Sequence, residues 1–396
     1  MQQADTIIPA KARQSLAFLD GLRGLAAVYV MIGHARWLLW EGGTAFQAHP
    51  GSYSLPGKIQ VYFFSLFKYG HEAVLFFFVL SGFVIHLKQA KGIARGEQVS
   101  LNGYFLRRVR RILPPLLFAL LLTFFCDKLV AWMDASVFHH ATPDPVANEN
   151  ISFDHSFTTL AGNVLFVQNT YVPVFGSNAP LWSLKYEWWF YMLYPIVLLL
   201  NKRRAIWSLV VVAVISAISI TGWSWGIKLI DDVFAYFFCW WLGCLSADMY
   251  AGRIRIPSWL IIVATFALLY IPVSMMYEIM PNGAIKDTFI AIGFWGLLNL
   301  FFILQKRNVS LKLLEKLKPL GDCSYSIYVI HLPLLVLTNA VILKSTGNVL
   351  PRSMVYVWLA ILIIPVIAWV VHLLVEKPFV QAKPPEKKSP VSMARS

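Results

Sequence analysis

Ten runs of about 20 mostly apolar residues constrain this chain more than anything else in it, because a helix of that length crosses a bilayer. They lie near 16–40, 70–87, 112–133, 182–200, 205–223, 229–250, 258–277, 287–304, 319–343 and 354–375. Inside hydrocarbon the backbone polar groups find no water, so segments of this kind close their hydrogen bonds as helices. Composition agrees: 58% of residues are hydrophobic and 14% charged, with a mean hydropathy of +0.62, which excludes an ordinary soluble domain. The expected fold is all-α, a polytopic membrane bundle of about ten helices.

Lysine and arginine orient the bundle, since they gather on the cytoplasmic side of short connections. Alternate connections and termini carry 24 basic residues on one side and six on the other, which predicts that both termini are cytoplasmic. The connection 134–180 has four acidic residues and no Lys or Arg, as suits an external loop, with a re-entrant or interfacial piece around TLAGNVLF. A cytoplasmic segment at 1–15, a transmembrane domain at 16–376 and a disordered basic tail at 377–396 follow from this pattern. The net charge of +14 is spread over these loops, which argues against a nucleic-acid-binding face. Cys126, Cys239, Cys244 and Cys323 lack the spacing of a zinc site or a disulfide framework and read as packing residues, so no metal is expected. The first run starts late, holds charges and lacks a small-residue cleavage site, so it reads as a retained span rather than a signal peptide. No internal repeat is visible, which weakens a transporter built from inverted repeats.

Against this apolar background the ionisable residues stand out, because each costs about 2.5 kcal/mol or more to place in a span. Arg23 and His34 are eleven residues apart in the first run, which puts them on one helix face, roughly 16 Å apart along the axis. In SLKYEWWFYMLYP, Glu187 lies roughly 8 Å in from the external side, close to the roughly 9 Å depth of His34. The two are therefore expected to be neighbours if their helices pack, with the carboxylate orienting a histidine base. The plainer alternative is that Glu187 neutralises a buried arginine or Lys185. Ser183, Tyr191 and Tyr194 extend the face of Glu187.

In the second run, Ser81 and Gly82 read as small residues that let helices approach. His71 and Glu72 at its outer end read as solvated interface residues, with catalysis the lesser option. Arg107, Arg108, Arg110 and Arg111 either enforce topology and meet anionic lipid, or bind phosphate, with Arg108 and Arg111 one turn apart. In GDCSYSIYVIHLP, Ser324, Tyr328 and His331 share a stripe, and His331 is either hydrogen-bonded within the bundle or catalytic. Asp20, His86, His372 and Glu376 are weaker candidates, Asp20 as a local partner of Arg23. A line of polar groups thus crosses the bilayer, fit to bind an elongated phosphorylated donor or to serve as a proton or anion path.

These residues, in order, resemble a known family. The first run with Arg23 and His34, then FFFVLSGFVI, RRVRR before ILPP, LWSLKYEWWFYMLYP, YSIYVIHLP and VEKPF, is similar to the acyltransferase-3 family of integral membrane acyltransferases, from about residue 15 to 380. The resemblance implies O-acetylation of cell-surface or secreted glycans in the bacterial inner membrane, with acetyl-CoA as donor and a glycan or glycolipid as acceptor. It implies activity for Arg23 and His34, and matches Arg108, Arg111, Glu187, Tyr328 and His331 to the family's further polar positions. The arginines would hold the phosphates of the donor and His34, oriented by Glu187, would take the acceptor's proton. A transient acetyl-His34 is a variant, and Tyr328 or Ser183 the candidate oxyanion donors. Without a fused hydrolase-like domain, the chain resembles the family's stand-alone type. A transporter or flippase for an anionic or lipid-linked glycan is the alternative expectation.

Overall fold

The computed structural model describes residues 15–269 and 283–381. The expected N-terminal segment up to residue 14, the run 258–277 beyond residue 269 and the tail from 382 lie outside them. The described residues are helical, with one isolated bridge between Gln168 and Val172. In chain order the helices are α1 (Ala17–Leu38), α2 (Gly42–Ala48), α3 (Leu55–Ser65), α4 (Gly70–Ala94), α5 (Tyr104–Trp132), α6 (Pro145–Asn150), α7 (Phe157–Val164) and α8 (Trp182–Arg203). There follow α9 (Ala205–Ile220), α10 (Lys228–Tyr250), α11 (Ser258–Thr265), α12 (Ala284–Lys306), α13 (Lys312–Lys316), α14 (Lys318–Asp322), α15 (Ser324–Thr346), α16 (Val355–Val371) and α17 (Lys377–Gln381).

Six of the described helices are long and apolar enough to cross a membrane: α4, α5, α10, α12, α15 and the continuous rod Val355–Gln381. Ala205–Ile220 and Ser258–Leu269 are apolar but shorter. Helices α1 and α8 have 22 residues each but are more polar, α1 through Asp20, Arg23 and His34, α8 through Lys185 and Glu187. A helical membrane protein is therefore plain from the structure, with six spans by length and composition where the sequence suggested ten.

Three boundaries differ from expectation. Helix α5 begins at Tyr104, ahead of the run expected from 112, so the arginine cluster forms its first turns, and the rod continues through Pro114 and Pro115. Two prolines remove two backbone donors, a loss a membrane helix tolerates where neighbours supply contacts. The Tyr325 hydroxyl donates to the Ile112 carbonyl beside them. The run read as one span from 319 is broken at Cys323, between α14 and α15. The last helix passes 377, where the tail was expected, as a turn of π-helix at His372–Glu376 leading into α17.

Helix α15 is the central rod, with 78% of its apolar window buried, whereas the Val355–Gln381 rod is 28% buried and turns Leu362 and Val366 outward. Glycines decide the closest crossings. A Cβ on Gly82 of α4 would lie 2.0 Å from the Trp240 carbonyl oxygen, and one on Gly243 of α10 would lie 2.0 Å from that of Val79. These two helices therefore cross backbone against backbone, the close approach small residues permit in membranes. Helix α1 meets α13 and α14 in the same way: a Cβ on Gly21 would sit 2.0 Å from the Leu314 carbonyl, and one on Gly321 would sit 2.0 Å from that of Asp20. That contact brings Arg23 beside the start of α15.

The long connection before α8 is held down rather than loose. His155 Nε2 donates to Asp127 at 2.8 Å, Asn178 Nδ2 donates to the Val329 carbonyl at 2.8 Å, and Gln168 Nε2 to that of Leu181 at 2.8 Å. Within it, α7 is the short helix found where an interfacial piece was expected, and the Thr159 hydroxyl with the Ser156 N–H holds the Asp154 carboxyl below the usual carboxylate range. All four cysteines are free and buried.

Candidate active site

The polar residues of the bundle collect around two cavities that lie toward opposite ends of α1. The larger, about 530 Å³, is walled by α4, α5, α8 and α15 and includes Arg23, Ser81, Arg108, Arg111, Ser183, Glu187, Tyr191 and Tyr328. Phe379, Val380 and Gln381 of α17 also line it, so the end of the last helix forms part of its wall. The smaller, about 260 Å³, includes His34, Trp37, His71, Asn150, Trp182 and Tyr328. Val74 and Tyr328 line both.

In the larger cavity Arg23 donates from Nη1 to Asp20 at 3.4 Å and from Nη2 to the Ser324 hydroxyl at 3.2 Å. Arg108 lies over the rings of Tyr104 and Tyr191, 5.7 and 5.5 Å from their centroids, and its buried Nε has no hydrogen-bond partner. Neither Arg108 nor Arg111 forms an ion pair among the described residues. Contact with the two rings holds the Arg108 guanidinium while leaving its Nε unspent, an arrangement that suits an anion. Glu187 accepts from the Tyr191 hydroxyl and, at 3.3 Å, from that of Ser81, whose oxygen also accepts from Trp240 Nε1 at 3.2 Å. Ser81, read as packing, is therefore hydrogen-bonded into the cavity wall, while Gly82 next to it does the packing. Ser183 and Tyr328 join hydroxyls at 2.7 Å, and both reach the Pro180 carbonyl, at 3.3 and 3.0 Å.

The smaller cavity corrects the expected pairing. The carboxylate of Glu187 turns to the arginine side, and His34 meets His331 instead, with Nδ1 and Nε2 2.9 Å apart and ring centroids at 5.0 Å. The hydrogen bonds assign the tautomers. His331 Nδ1 faces the carbonyl oxygens of Ile327 at 3.1 Å and Tyr328 at 2.8 Å, and carbonyls only accept, so Nδ1 carries the proton. His331 Nε2 is then a lone pair that accepts from His34 Nδ1–H, which leaves His34 Nε2 unprotonated. A half-buried imidazole with a fixed tautomer and a bare Nε2 beside a cavity is the arrangement of a general base, and His331 is the group that orients it.

Other polar groups have partners that the sequence reading did not foresee. His71 Nε2 donates to Asp287 Oδ2 at 2.9 Å, a pair that joins the end of one apolar run to the start of another. His86 lies between the Tyr194 hydroxyl at 2.9 Å and Asp248 at 3.0 Å, and Asp248 also accepts from Arg253 and from Asn201, forming a buried brace between α4, α8 and α10. Glu376 accepts from Ser326 and His372, each at 3.0 Å, and so ties the last rod to α15. The signal available for these was the rarity of Asp, Glu, His and Asn at the edges of apolar runs, without any means of pairing them. No group of three or more potential metal-ligating side chains occurs among the described residues.

Comparison with known families decides between the readings left open by the residues. The acyltransferase-3 model, described as an acyltransferase domain, matches residues 16–373. The chain belongs to the acyltransferase-3 family. A Bacillus subtilis (strain 168) protein provisionally named peptidoglycan O-acetyltransferase YrhL is 26% identical over 194 residues, which cover 47% of this chain and 25% of that protein. The match therefore spans about a quarter of the length of that relative. No solved structure matches the chain. Within this acyltransferase-3 chain, both cavities lie inside the matched segment except for the contribution of α17.

Proposed function

We propose that this acyltransferase-3 protein is a membrane O-acetyltransferase that moves an acetyl group from acetyl-CoA to a sugar hydroxyl of a surface or secreted glycan. The observation that carries the reading is the His34–His331 pair, a base with its tautomer fixed, set at the far end of the same helix whose Arg23 lines an arginine-rich cavity. Arg108 and Arg111 suit the phosphates of the donor, which would enter from the cytoplasmic side given the distribution of Lys and Arg. The pantetheine arm would run along α1 toward His34, past Tyr328. The acceptor hydroxyl approaches through the smaller cavity. His34 Nε2 takes its proton, the oxygen attacks the thioester carbonyl, the C–S bond breaks, and the proton passes from the imidazolium to the departing thiolate. The name of the Bacillus subtilis relative supports a glycan acceptor. A transporter or flippase would use the same polar line as its path and has no need of a base with a fixed tautomer.

The test is transfer of labelled acetyl from acetyl-CoA to glycan by purified protein in liposomes. His34→Ala should abolish transfer at unchanged protein level. Glycan movement without acetyl-CoA, insensitive to His34→Ala, would overturn the proposal in favour of transport.

A further inference from the structure

The smaller cavity holds a second histidine besides His34. His71 sits at the start of α4, and its Nε2 is spent on Asp287, whose Oδ2 also accepts from the Tyr236 hydroxyl at 2.9 Å. The anchor is buried and the ring is not: the side chain of Asp287 is 4% exposed and that of His71 42%. A carboxylate only accepts, so His71 Nε2 carries the proton and Nδ1 is the ring's remaining hydrogen-bonding atom, which has no partner among the described residues. The ring is also fixed in plane, stacked on Trp182 with centroids 5.4 Å apart and planes 12° from parallel. Trp37, in the same lining, stands nearly perpendicular to His34, with ring centroids 5.8 Å apart.

A buried carboxylate is expensive to keep, and here it positions a ring at the edge of a cavity. Two indoles, Trp37 and Trp182, beside fixed polar atoms suit a pyranose, whose C–H face packs on an aromatic ring while its hydroxyls need directed partners. At about 260 Å³ the cavity is near the lower limit of small-molecule sites, ~300 Å³, which favours a single sugar residue over a long chain. We infer that this cavity is the subsite for one sugar of the acceptor, and that His71, held by Asp287, reads it through a hydrogen bond between Nδ1 and a hydroxyl of the ring acetylated at His34. The inference rests on the O-acetyltransferase reading and adds the residue that recognises the acceptor.

The experiment uses proteoliposomes with acetyl-CoA at fixed saturating concentration and, as titrated acceptor, polysaccharide purified from a strain deleted for the protein. His71→Ala and His71→Gln are compared with wild type. Gln keeps a donor for Asp287 and drops the Nδ1 group, so it separates recognition from anchoring. Both variants should raise the acceptor KM about fivefold to tenfold, the weight of one hydrogen bond, with the KM for acetyl-CoA within twofold of wild type. Unchanged acceptor KM in a His71→Gln protein that is as abundant and as heat-stable as wild type would overturn the inference alone. Absence of acetyl transfer by the wild type would overturn the O-acetyltransferase reading and this inference with it.

Discussion

Replacing His331 by leucine isolates the role of the histidine pair. The His34–His331 contact is 2.9 Å and His331 is fully buried, so water cannot take its place. Leucine fills comparable volume, and the Ile327 and Tyr328 carbonyls that His331 engages belong to α15, so the helix ladder keeps them occupied. The loss falls on His34, whose Nδ1–H is left without an acceptor when the ring takes up a proton. A hydrogen bond to a charged group contributes about 1.5–3 kcal/mol, and at about 1.36 kcal/mol per decade its removal lowers kcat about 10- to 150-fold. The KM values for donor and acceptor should move little, because neither is held by this bond. Initial rates of labelled acetyl transfer measure all three, and His331→Gln, whose amide oxygen can accept from His34, should recover part of the loss. Since His331 acts through His34, the His34→Ala/His331→Leu double variant should be no slower than His34→Ala alone. A kcat within twofold of wild type for His331→Leu, or multiplicative losses in the double variant, would refute the tautomer argument.

Two further predictions concern the donor cavity and the packing. Arg111→Ala should raise the KM for acetyl-CoA about tenfold or more and weaken its dependence on salt, with acceptor KM unchanged, as read from initial rates at two ionic strengths. Gly82→Leu forces a side chain into the Trp240 carbonyl 2.0 Å from its Cβ, so the α4–α10 crossing must open, at a cost of about 1–3 kcal/mol or more. Its unfolding midpoint in detergent should drop while that of Gly43→Ala, a site with nothing within 4 Å, stays as wild type.

How far the sequence was legible depends on which physical signal each feature sends. Helical runs announce themselves because hydrocarbon admits few alternatives, and α1 and α8 start within a residue of expectation. The arginine helix was started too late, at 112, because hydropathy marks only the apolar part of a rod and its first turns carry four arginines. Within the site, the Asp20–Arg23 pair and the joint face of Ser183, Glu187 and Tyr191 followed from the helical repeat. The expected His34–Glu187 contact did not form because depth along an axis says nothing about rotation around it. On α15 the repeat carries even less, since polar and apolar residues are buried on all sides and no face is marked as the one that meets α1. The His34–His331 and His71–Asp287 pairs are long-range choices between helices, which only the packed structure expresses.

The two residues shared by the cavities bear on the energetics of the membrane itself. Acid and base groups reached from both faces of a bilayer would act as a proton leak if they formed one hydrogen-bonded wire, and each charge that crossed would dissipate about 2.3 kcal/mol per 100 mV. Here Tyr328 and Val74 are the residues that line both cavities, and the Tyr328 hydroxyl is occupied by Ser183 and the Pro180 carbonyl. A carbonyl oxygen passes no proton onward, and valine passes none at all. Of these contacts only the Ser183–Tyr328 hydroxyl pair can relay a proton, so keeping a proton-accepting histidine at one end and charged arginines at the other without a leak rests on that pair.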